Sequence, residues 1–145
     1  MSHIDTLKKL HTRIIDSRDG YKSSREQVEG TASYGTFFDR MIAQRQQFAT
    51  RIRGQLEAEG EKMDDDGSIL AAAHRTWLAL RDKVTGDDAA VYAEIVNGET
   101  DLKSLYDEAI EATAGKPGWD FLAEQRADVA QAINTAEAER QRHAA

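Results

Sequence analysis

Four short runs punctuate the chain: "GTASYG" (30–35), "GEKMDDDG" (60–67), "TGDD" (85–88) and "GKPG" (115–118), the last holding the only proline. Glycine, proline and clustered small polar residues break helices. What lies between them favours helix, over 3–29, 34–59, 87–114 and 118–143, with a shorter stretch at 68–84. No segment alternates apolar and polar residues as a strand does.

Stepping 100° per residue puts one apolar stripe on each long segment. The first aligns Ile4, Leu7, His11, Ile14, Arg18, Tyr21 and Val28, and the second Tyr34, Phe37, Phe38, Met41, Arg45, Phe48, Ile52 and Leu56. The 87–114 segment aligns Val91, Tyr92, Ile95, Glu99, Leu102, Tyr106, Ala109 and Ile110, and the last Trp119, Leu122, Val129, Ile133 and Ala136. Such stripes predict an all-α bundle. At 145 residues one domain spanning 1–145 suffices.

Loop lengths set the topology. The first and last connections are short, so each joins an antiparallel hairpin. The middle connection holds the 68–84 helix, which at ~1.5 Å per residue spans ~25 Å and lets the second and third long helices run parallel. The expected fold is a ferritin-like up-down-down-up four-helix bundle with a short fifth helix in the long crossover.

Three stripes carry a charge at mid-height. Arg18 stands 13 residues before position 31 and Arg45 14 after it, while Glu99 and Ile133 each stand 17 from position 116. The central layer therefore reads Arg18, Arg45, Glu99 and Ile133. An unpaired interior carboxylate costs several kcal/mol or takes up a proton, so Glu99 is expected to pair with both arginines. Tyr21 and Tyr106 are candidates for further hydrogen bonds. A ferritin-like di-iron centre needs E-x-x-H pairs, and the chain has none. Two guanidinium groups beside one carboxylate would also repel a divalent cation, so no metal and no cofactor are expected.

Gly20 and Gly98 interrupt helical segments at a cost of about 1 kcal/mol each, which predicts close approach by a neighbour, with Trp77 the candidate ring against Gly98. His74 shares a face with Trp77 but has no second ligand at metal spacing. "DDDGS" lacks the alternating acids and terminal Glu of a calcium loop. No phosphate-binding glycine loop or nucleophile elbow occurs, which argues against an enzyme of those classes.

The net charge of −7 argues against nucleic acid as a partner, since phosphate binding calls for a basic face. Absence of cysteine removes thiol chemistry, disulfides and Cys-ligated zinc. With no apolar run of membrane length or secretory leader, a cytoplasmic location away from membranes is expected. The charged end "AEAERQRHAA" reads as a solvated helix terminus.

The stretches "DGYKSS", "AQRQQFATRIRGQL", "GSILAAAHRTWLALR" and "VNGETDLKSLYDEAI" together resemble an uncharacterised bacterial family of ferritin-like four-helix-bundle proteins, a domain of unknown function. His74, Trp77, Gly98, Glu99 and Tyr106 carry the resemblance most specifically. It implies the ferritin-like fold, a bacterial source and no established activity. Relatives of that pattern carry an acid near Arg18 and a histidine near Ile133 or Asn134, and this chain has neither.

The expectation is a bundle with a structural or interaction role, in stress adaptation by analogy alone, without a di-iron centre. A protein partner or a homodimer would fit that role. The rivals are an iron-binding or ferroxidase-type protein using Glu99, and a small-anion site using Arg18 and Arg45.

Overall fold

The computed structural model describes residues 2–26, 35–63 and 88–144. They form four α-helices, α1 (His3–Glu26), α2 (Gly35–Ala58), α3 (Asp88–Ala112) and α4 (Phe121–Ala144), and no strand occurs among the described residues. The expected crossover helix at 68–84, with His74 and Trp77, lies outside them.

The helix ends follow local chemistry. Asp5 in the first turn of α1 and Arg25 in its last oppose the partial charges of the helix termini. Past α2, Glu61 N–H donates to the Leu56 carbonyl and Gly60 N–H to Glu57, both at 3.0 Å, with Gly60 at φ +92°. This is a Schellman cap, which needs a left-handed residue that glycine adopts without strain. Between α3 and α4 the chain turns through Gly115 and Gly118, at φ +79° and +92°. The second of these delays the start of α4 to Phe121, three residues beyond the expected 118.

Close packing joins α1 to α2, α3 to α4, and α1 to α3. At one end of the bundle Leu7, Leu10, Leu56, Ala109, Trp119 and Leu122 share a core. At the other, Tyr21, Phe37, Phe38, Val91, Tyr92 and Ala136 share a second one. The start of α1 thus lies beside the ends of α2 and α3, so α1 runs antiparallel to both, and α2 and α3 run the same way. Burying each of the larger aliphatic and phenylalanine side chains among them contributes about 1.5–3 kcal/mol, which is what holds these long helices together.

The true seam of α1 differs from the expected stripe. Leu7, Leu10, Ile14, Ser17, Tyr21 and Ser24 face inward with no more than trace exposure. Their alternating spacing of three and four keeps them on one face. His11 and Arg18 fall on the flank of that face, half-buried. Among the described residues, no helix is long and apolar enough to cross a membrane.

Candidate functional site

Arg45 and Glu99 divide the core. Arg45 lies one turn from Met41 of one apolar cluster and Phe48 of the other, and Glu99 lies between Ile95 and Leu102 in the same manner. Both side chains are fully shielded from solvent.

The pair is bidentate. Arg45 Nη1 donates to Glu99 Oε2 and Nη2 to Oε1, each at 2.7 Å. Tyr21 Oη donates to the same Oε2 at 2.7 Å, so three donors converge on one carboxylate. The remaining guanidinium edge is also occupied, Nε and Nη2 donating to Gln44 Oε1 at 3.2 and 3.1 Å. Met41 Sδ receives a weaker contact from Nη2 at 3.5 Å. The rings of Tyr21 and Phe48 sit 6.0 and 5.7 Å from the guanidinium carbon, within cation–π range.

Electrostatics follow from this enclosure. Burial opposes the charge on Arg45, but the adjacent carboxylate and its hydrogen bonds more than offset that, and the guanidinium is held protonated more firmly than in water. Burial and then the negative charge of Glu99 push the Tyr21 phenol well above its ordinary value, although Arg45 pulls the other way. Tyr21 therefore keeps its proton, and its role as hydrogen-bond donor, beyond the pH at which a free phenol ionises.

Arg18 and Tyr106 depart from the expected layer. Arg18 donates from Nη1 to Gln46 Oε1 at 2.7 Å and pairs with Asp19 at 2.9 Å, on the outer flank of α1. The physical reason is saturation: Arg45 occupies both oxygens of Glu99, and a second buried guanidinium would bring an uncompensated charge into the core. Tyr106 donates to Gln125 Oε1 of α4 at 2.6 Å rather than to Glu99. Burial raises its phenol too. Ile133, the fourth expected member, is partly buried against the larger core cluster. Gly98 is buried beside Glu99.

Sequence reasoning missed Gln125 and Gln44. Gln125 fills the gap between Leu122 and Val129 in the stripe of α4, a position where a glutamine facing a core tyrosine is the natural inference. Among the described residues, no three His, Asp or Glu side chains converge as metal ligands would.

A helical bundle whose halves are joined through a closed, three-helix polar knot is the class of protein these features define. The chain belongs to the family defined by the domain of unknown function DUF2383, which matches residues 2–112, from α1 to the end of α3. No curated protein and no solved structure gives a significant match.

Proposed function

We propose that this chain is a cytoplasmic, single-domain bundle of ferritin-like connectivity with a structural or interaction role, in which the Arg45–Glu99–Tyr21 knot holds the fold and performs no chemistry. The observation that carries this reading is the closure of the pair. Both carboxylate oxygens of Glu99 accept from Arg45 at 2.7 Å inside a solvent-free layer. A metal ligand needs a lone pair directed at the ion, and here a cation already holds that place. Closure equally weighs against an anion site, because Arg45 has its donors committed and Arg18 faces outward. The parallel run of α2 and α3, with a long connection between them, supports the ferritin-like connectivity.

The test is elemental analysis of the purified protein, followed by aerobic Fe(II) titration with oxygen uptake monitored. We expect neither retained metal nor oxygen consumption. Binding of about two irons per chain with oxidation, the stoichiometry of a di-iron carboxylate centre, would overturn the reading.

A further inference from the structure

α2 and α4 leave a groove of about 300 Å³ between them, lined by Phe37, Arg40, Met41 and Gln44 on one wall and by Asp128, Ala132 and their neighbours on the other. Its floor is apolar, for Phe37, Met41 and Ala132 belong to the core cluster at that end. Its rims are charged and opposite in sign. Arg40 and Asp128 are both exposed, and among the described residues neither is in an ion pair, Arg40 only lying 5.9 Å from the Phe37 ring.

We propose that this face is an interface between two copies of the chain, related by a two-fold axis running along the groove. That rotation sets α2 of one copy over α4 of the other. Each Arg40 then meets the partner's Asp128, and the pairing occurs twice by symmetry. Charge complementarity of this kind favours a second copy, since one rim supplies what the facing rim lacks. Two helices of 24 residues outline a face at most about 36 Å long and about 20 Å wide, an upper limit of roughly 700 Å² per copy, against about 800 Å² for a standard specific interface.

This inference rests on the interaction role proposed above, but the two fail separately. Iron binding would overturn the closed knot without touching the dimer, and a monomer would overturn the dimer without touching the knot.

Sedimentation of the full chain at physiological salt across micromolar concentrations is the test. The expected mass is twice the 16.1 kDa of one chain. Arg40→Glu and Asp128→Lys should each weaken association by at least about tenfold, since each breaks two symmetry-related pairs and creates like-charge contacts. The double variant R40E/D128K restores the pairs with reversed sign and should recover the dimer, while helical circular dichroism verifies that each variant folds. A monomer at all concentrations, which would leave the groove to some other partner or ligand, overturns the proposal. So does a dimer that both single reversals leave intact.

Discussion

Arg45 of α2 holds Glu99 of α3 through two parallel N–H···O bonds of 2.7 Å, and the two residues are 54 positions apart in the chain. Each supplies the counter-charge that the other faces in a dry interior. Removing one partner by Glu99→Ala or Arg45→Ala should cost about 3–5 kcal/mol, the penalty for stranding a buried charge. Replacing both, as in Arg45→Met with Glu99→Leu, should return most of that loss. Urea unfolding followed by circular dichroism measures both outcomes. If the single substitutions proved as mild as the double one, the pair would not be tightly coupled.

The two core tyrosines serve different partners. Tyr21→Phe removes a bond to a carboxylate and should cost about 1.5–3 kcal/mol, whereas Tyr106→Phe removes a neutral bond worth about 0.5–1.5 kcal/mol. A double-mutant cycle between positions 106 and 125 should show coupling, and one between 21 and 125 should be additive.

Alkali should destabilise the fold through the same rings. Burial raises both phenols above their ordinary value. Unfolded tyrosine releases its proton near pH 10 while the folded form keeps it, so the folded state binds more protons and stability falls as pH rises above about 10. The double variant Y21F/Y106F should flatten that decline in a plot of melting temperature against pH.

His11 supplies the opposite slope in acid. Burial, with the cations of Arg53 and Arg18 nearby, pushes its imidazole down from 6.5 to about 4. Between those values the unfolded chain takes up a proton that the folded chain refuses, so stability falls as pH drops from about 6.5 and levels off below about 4. Because the ring is half-buried and partly screened, we expect about 1–2 kcal/mol from this residue. His11→Gln should reduce the slope in that window and leave neutral-pH stability close to unchanged.

Among the described turn glycines, Gly118 is the one where a side chain meets both a left-handed backbone and a neighbouring side chain. Its φ is +92°, and a Cβ there would lie 2.4 Å from Gln55 Nε2 of α2. Gly118→Ala should cost about 1–2 kcal/mol, the left-handed conformation alone accounting for about 1. Adding Gln55→Ala should relieve the clash and leave the backbone share, as thermal unfolding of the three variants would reveal.

The four described helices and the Arg45–Glu99 pairing were legible in the sequence because each rests on a strong local signal. Long periodic stripes bounded by glycine clusters give helix, and an acid in such a stripe demands a cation at matching height. The inner face of α1 was harder. Ser17 and Ser24 look like surface residues in the sequence yet are fully buried, and Ser17 satisfies its hydroxyl on the Ile14 carbonyl at 2.8 Å. Polarity alone could not reveal that, and the error rotated Arg18 inward by about one residue. Tyr106 was misassigned for a different reason: its partner Gln125 sits across a hairpin, where register depends on the details of the "GKPG" turn.

The knot is also directional in a way the apolar cores on either side of it are not. Leucine and isoleucine rows can slide past one another by a helical turn and still find apolar neighbours, but a planar fork accepts only one alignment. Shifting the second hairpin by one turn along the first would bring Ile95 or Leu102 opposite Arg45, and the guanidinium would be left buried without a counter-charge. Such a slip costs several kcal/mol, so this single pair works as a key that admits one register between the hairpins and rejects the rest.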